Sequence, residues 1–230
     1  MYFDPMYFIF LAPGLLLTLW ANFRVRGAFA KYSEVPNTDG LTGAQVAARI
    51  LAANGLSSVG INRVKGELSD YYDPRTRELF LSDKVYDKKT VAAMGVAAHE
   101  VGHALQHAQA YAPLQLRSAI VPAVSIGSNL GFIVLFAGLL LNMVQIAWLG
   151  VALFGLATLF ALVTLPVEFN ASKRAKEQLR SLAMVNESDA RGVSAVLSAA
   201  AWTYIAGFAT SLLTLLYYVM LVSGMSRDDR

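Results

Sequence analysis

The three histidines of this chain, His99, His103 and His107, all fall within VAAHEVGHALQHA at 96–108. They recur every four residues, so on a helix they form a ladder up one side. His99-Glu100-Val101-Gly102-His103 reads HExxH. Residues four apart differ by about 40° around a helix and about 6 Å along it, so both imidazoles can reach one zinc at bonds of about 2.0–2.1 Å. Glu100 projects beside them, placed to act as a general base on a metal-bound water. His107 lies about 12 Å along the axis from His99, too far for a straight helix to bring all three to one ion. The pattern HExxHxxGxxH reaches a third histidine only through a break at glycine. Ala104-Leu105-Gln106 supplies neither the break nor the spacing. His107 is therefore read as a neighbour of the site, packing against a ligand or touching substrate.

A catalytic zinc normally takes three protein ligands and a water. The histidines are spent and the chain has no cysteine, which excludes disulfides, thiolate zinc sites and a cysteine nucleophile. A carboxylate must complete the site. Acids available on the same side include Glu67, Asp70, Asp73, Glu78, Glu168, Glu177, Glu187 and Asp189. Glu168 stands apart because it ends an apolar run, in TLPVEFNASKRAKEQL, where an ionisable group is costly. Pro166 can kink or restart the helix there. Asn170, Ser172 and Arg174 follow within two turns and can touch a ligand or substrate. Position alone leaves Glu168 either as the ligand or as a water-facing acid paired with Lys173.

The elements that must position these groups are set by hydropathy. Residues 6–23, 119–141, 144–167 and 201–223 are continuous apolar runs, each about the 20 residues needed to cross a hydrocarbon core of about 30 Å. The fold class read from them is mainly α, a multi-pass membrane protein with four transmembrane helices and a small cytoplasmic zincin-like α+β segment. The corresponding divisions are an anchor at 1–23, the HExxH-bearing segment at 24–117 and a transmembrane hairpin at 118–167. A helical segment with the third ligand at 168–202 and a last transmembrane helix with a short tail at 203–230 complete them. The first run is not read as a cleavable signal, because its basic residues, Arg24 and Arg26, follow it. Segments 24–117 and 166–202 hold 12 and 5 Lys/Arg, against Arg227 and Arg230 opposite. The positive-inside rule then places the site in the cytoplasm and both termini outside the membrane. The net charge of +3 reports this topology. No basic-aromatic interleaving points to nucleic acid.

Within 24–117, Thr42 and Gln45 have capping-box spacing before AQVAARILAANG. LSDYYD and RELFLS around Asp73-Pro74-Arg75 read as a β-hairpin. The strand around Glu78–Ser82 is read as an edge that an extended peptide could join. Asp87 or Thr90 then caps a helix over about 91–109, ended before Pro113. Gly127 and Gly131 have the GxxxG spacing of closely packed membrane helices.

Several blocks together, GLTGAQVAARILAANGL, DYYDPRTRELFLSDKVY, AAHEVGHALQHAQAYAPLQLR, LPVEFNASKRA and VLSAAAWTYIA, resemble the YugP-like neutral zinc metallopeptidases of bacterial membranes, in the family's order and over most of the chain. EFNASKRA also resembles, more distantly, the third-ligand segment of HtpX-like gluzincin proteases, which implies that Glu168 is the third ligand. Ser172 stands where those proteases carry Asp, so support at that position would be neutral. The resemblance implies a membrane metalloendopeptidase with one Zn²⁺ per chain, held by His99, His103 and Glu168. Zinc-activated water would hydrolyse a peptide or membrane-protein substrate, with Glu100 as general base and then acid. It names no physiological substrate, adaptor or oligomeric state.

Two other readings stand beside this. A site-2-type intramembrane protease also uses HExxH, but on a helix in lipid, whereas Asp87, Lys88 and Lys89 closely precede this one. A non-enzymatic quality-control scaffold with a structural zinc would need a closed site with a fourth protein ligand. A transporter would need paired broken helices, and none is evident.

Overall fold

A computed structural model describes residues 5–228 of the chain; Arg230, counted above for topology, lies outside them. The element order is α1 (Pro5–Ser33), α2 (Gly43–Ala53), β1 (Gly60–Val64), β2 (Tyr71–Asp73), β3 (Glu78–Ser82) and α3 (Asp83–Tyr86). It continues with α4 (Val91–Ala108), α5 (Ala112–Leu140), α6 (Val144–Ser181) and α7 (Glu187–Asp228). Helices α1, α5, α6 and α7 are long and apolar enough to cross a membrane. The chain is thus mainly helical with a small sheet.

The chain divides into two compact units. The first comprises Met1–Ala21, Gln115–Pro166 and Thr203–Arg230. Large apolar side chains such as Leu16, Ile126, Ile133 and Leu162 are exposed on it, as befits helices that lie in lipid. Small residues set the packing between its helices. A Cβ on Gly131 would lie 2.9 Å from the amide nitrogen of Phe154, and one on Gly127 2.9 Å from Leu156. The GxxxG spacing therefore serves contact of α5 with α6, as expected of small residues between membrane helices.

The second unit comprises Asn22–Leu114 and Val167–Trp202. Its core gathers Val46 and Ile50 of α2, Leu79 and Leu81 of β3, Met94 and Val101 of α4, Leu179 of α6, and Val193 and Leu197 of α7. The capping box on α2 forms as the sequence predicts, with Thr42 Oγ1 accepting from Gln45 N–H and Gln45 Oε1 from Thr42 N–H. Thr90 rather than Asp87 caps α4, accepting from Ala93 N–H at 3.3 Å. Asp87 instead pairs with Arg63.

The predicted hairpin forms as β2 and β3, within a three-stranded sheet ordered β1-β3-β2, with β1 parallel and β2 antiparallel to β3. GINRV is short and lacks clean alternation, so its strand was not legible. The strand Glu78–Ser82 consequently has a neighbour on each side, and its backbone cannot accept an added peptide strand; the edges are β1 and β2. Pro166 does not restart a helix, because α6 runs through it. Helix α4 ends at Ala108, before Pro113 as expected; its end is set by the left-handed Ala110 (φ 51°), with Tyr111 N–H bonding to Gln106 C=O and Ala110 N–H to His107 C=O, a Schellman-type stop. Pro113 then sits in the first turn of α5, where its missing N–H costs nothing.

Candidate metal centre

Helix α4 carries the HExxH residues through the second unit's core, and α6 lies beside it. The contact is set by Gly102, where a Cβ would fall 2.6 Å from the carbonyl oxygen of Ala171. Only a glycine lets the α6 backbone come so near. Ala171 is three residues after Glu168, so this approach delivers the carboxylate to the histidines. His99 Nε2 lies 3.2 Å, and His103 Nε2 3.6 Å, from Glu168 Oε2. The ligand atoms of all three residues lie within 4.8 Å of one another, and this is the group among the described residues that could hold a metal. Two donors on a tetrahedral zinc with bonds of about 2.0–2.1 Å stand about 3.3 Å apart, so the spacing fits that ion.

The remaining ring nitrogens are held by α4 and α6. His99 Nδ1 lies 3.1 Å from the Ser172 hydroxyl, and His103 Nδ1 lies 3.0 Å from Gln106 Oε1. Gln106 Nε2 donates to Val167 C=O at 2.8 Å and to Asn170 Oδ1 at 3.0 Å, which fixes the amide's orientation. Its Oε1 can only accept, so His103 carries its proton on Nδ1 and presents a lone pair at Nε2. Asn170 Oδ1 is held in turn by Arg174 Nε at 2.6 Å, and Arg174 also donates to Gln109 at 2.6 Å. Such outer contacts orient metal ligands and raise their basicity.

Glu168 is 4% exposed and Lys173 pairs with Glu177 instead, so the water-facing reading of this acid does not hold. Glu100 is 7% exposed. Burial pushes its carboxyl up to about 7, with the negative charges of Glu168 and Asp70 adding and His99 and the Tyr72 N–H opposing. Asp70 is itself raised by burial, although Ser82 N–H and hydroxyl donate to it.

His107 is outside the cluster. Its Nδ1 meets the Tyr72 hydroxyl at 2.9 Å, so Tyr72 is tied to α4 by its hydroxyl. Asn170 and Arg174 lie behind Gln106, and Ser172 touches His99. The sequence reading missed Gln106 and did not foresee the contact of Tyr72 with His107. A signal existed for the first, since Gln106 is three residues beyond His103 and so on the same helix face. Nothing local points to the Tyr72 contact.

Residues 7–223 match the family described as "Putative neutral zinc metallopeptidase". The chain belongs to this family. It is also 46% identical over 217 residues to "Putative membrane protease YugP" of Bacillus subtilis (strain 168), covering 94% of this chain and 96% of that protein. No solved structure matches. The family's description implies zinc, and His99, His103 and Glu168 form a group able to hold it.

Proposed function

We propose that this chain is a membrane-bound zinc endopeptidase acting on peptide or membrane-protein substrates. One observation carries the reading: two imidazole Nε2 atoms and a buried carboxylate converge, with a second buried carboxylate, Glu100, on the same helix. When bound, zinc polarises the scissile carbonyl and acidifies the attacking water. Glu100 takes a proton from that water as the C–O bond forms, and returns it to the amine as the C–N bond breaks. A base so placed typically contributes ~10²–10⁴-fold. Its burial favours proton uptake.

We place the substrate strand along the outer edge of β2, the edge strand tied to α4 by the Tyr72 hydroxyl at His107, where an extended peptide can pair by backbone hydrogen bonds. The Lys/Arg distribution supports a cytoplasmic site with both termini outside the plasma membrane. Helix α4 is not among the four helices apolar enough to cross a membrane, which disfavours the intramembrane mechanism. Among the described residues the group has three ligands and no fourth, which leaves a position open, unlike a closed structural site.

The test is zinc analysis and casein cleavage of the full-length protein in detergent. Glu168→Ala is expected to lose zinc. Glu100→Gln should keep it while cleavage falls at least ~100-fold. Full zinc stoichiometry in Glu168→Ala would sink the ligand assignment, and unchanged cleavage by Glu100→Gln would sink the enzyme assignment.

A further inference from the structure

A cavity of about 240 Å³ lies within the second unit, beside the last two turns of α4. Building on the peptidase reading, we propose that it is a specificity pocket, which takes a carboxylate of the substrate two or three residues from the bond cut. Glu100, Ala104 and His107 stand at i, i+4 and i+7 and so share one face of α4. Ala104 and His107 line the cavity, and they lie about 6 and 10 Å along the helix from Glu100. An extended peptide advances about 3.3 Å per residue, so a substrate held at Glu100 brings its second or third neighbouring residue level with the cavity. The volume falls below the ~300–1,000 Å³ that encloses a drug-sized ligand, which suits one side chain or a chain end.

The lining decides which residue that is. Leu56, Val59 and Ala104 give the cavity an apolar wall, and Ser58, Tyr72, Arg77 and His107 its polar groups. No acid lines it, so Arg77 sets its charge. Among the described residues Arg77 has no carboxylate partner, while Asp73 nearby is held by Arg75 at 3.1 Å. Burial raises the Tyr72 hydroxyl above its usual range and the Arg77 charge opposes this, so the guanidinium stands near that hydroxyl. His107 Nδ1 meets the same hydroxyl at 2.9 Å; when the hydroxyl donates there, Nε2 carries the ring's proton and can give it to an anion. Arg77 also holds the left-handed conformation (φ 58°), which glycine or asparagine adopts at less cost. A long cation is thus kept at a turn whose backbone favours a residue without one, the kind of strain that collects at ligand clamps. The anions that an unmodified peptide offers are carboxylates, of aspartate, glutamate or the C-terminus, and a guanidinium matches them with a two-pronged fork.

The experiment reads peptide binding by fluorescence anisotropy to the full-length, zinc-loaded Glu100→Gln protein in detergent, which holds peptides without cutting them. The probes are one neutral peptide with a single glutamate, glutamine or lysine stepped along it, each with a free or an amidated C-terminus. Glutamate at its best position should bind roughly fivefold more tightly than glutamine there. A preference of that size for the free over the amidated C-terminus instead assigns the carboxylate to the chain end. Added to this protein, Arg77→Gln should erase the preference and Arg77→Glu should reverse it in favour of lysine. Arg77→Gly should erase it while raising the unfolding temperature, since glycine relieves the left-handed turn. Equal binding of all the probes, or a preference that survives all three Arg77 variants, overturns the proposal. Cleavage of the same peptides by the wild type separates the two readings. Cleavage and binding without a carboxylate preference remove the pocket and keep the peptidase, whereas an Arg77-dependent preference in binding with no cleavage keeps the pocket and removes the peptidase.

Discussion

Gly102→Ala tests whether the metal site depends on the close approach of two backbones. The new Cβ would stand 2.6 Å from the Ala171 carbonyl oxygen and 3.1 Å from its Cα. A comfortable carbon–oxygen contact is about 3.3–3.6 Å, so α4 and α6 must part by at least roughly 0.7 Å. No side-chain rotation can absorb this, because the obstacle is main chain. Glu168 is three residues from Ala171 on a rigid helix and moves with it, opening the 3.2 and 3.6 Å spacings to His99 and His103. Metal sites tolerate deviations of about 0.2 Å. Overpacking of this kind costs about 1–3 kcal/mol of stability, and zinc affinity should fall by tenfold or more. The assay is competition for zinc against a chelator in detergent, with thermal unfolding of the metal-free protein beside it. Gly27→Ala is the control, since a Cβ there meets nothing within 4 Å; it should be neutral or stabilising by about 0.5–1 kcal/mol. Wild-type zinc affinity in Gly102→Ala, with unchanged unfolding, would refute the idea that this contact positions the carboxylate.

Gln106→Leu removes the acceptor that fixes the His103 tautomer and takes the Gln106 amide donor from Val167 C=O and from Asn170, which keeps only Arg174; zinc affinity should drop about 10–100-fold, read by the same titration. His107→Ala should retain full zinc, while the loss of the Tyr72 tie lowers cleavage by raising mobility around Glu100; loss of zinc instead would return His107 to the ligand set. In the metal-free protein Glu100 titrates at about 7, above the ~4.3 of an unfolded glutamate. The folded state therefore binds the extra proton between those values, and stability falls as pH rises through about 7. Glu100→Gln should relieve this, stabilising the metal-free protein at pH 8 by on the order of 3 kcal/mol, with the gain vanishing below about pH 4. Urea unfolding at both pH values measures it, and equal stability of the two proteins at pH 8 would contradict the burial of this charge.

Periodicity and composition determined a great deal here. Uninterrupted apolar runs announce four long helices because a hydrocarbon solvent tolerates few charges. Thr42 and Gln45 announce a helix start because capping is local chemistry. His99, Glu100 and His103 announce a metal helix because their spacing is a property of one helix. His107 was separable from them on the same ground. Glu168 was singled out by the cost of a charge at the end of an apolar run, yet its spacing to the histidines was not legible. Strand β1 escaped notice because a five-residue strand with glycine and arginine draws its stability from pairing with β3, which lies fourteen residues further along.

What the tertiary structure alone decided is which distant groups meet. Gly102 reads in the sequence as an ordinary small residue between two histidines, and only its contact with Ala171 shows that it admits α6. The Gln106 amide, Ser172 and Tyr72 acquire their parts from partners 35 to 73 residues away. Local sequence encodes the helices because their hydrogen bonds close within four residues. The metal centre joins α4 to α6, so its geometry follows from side-chain volume at their contact and is fixed only when those helices pack.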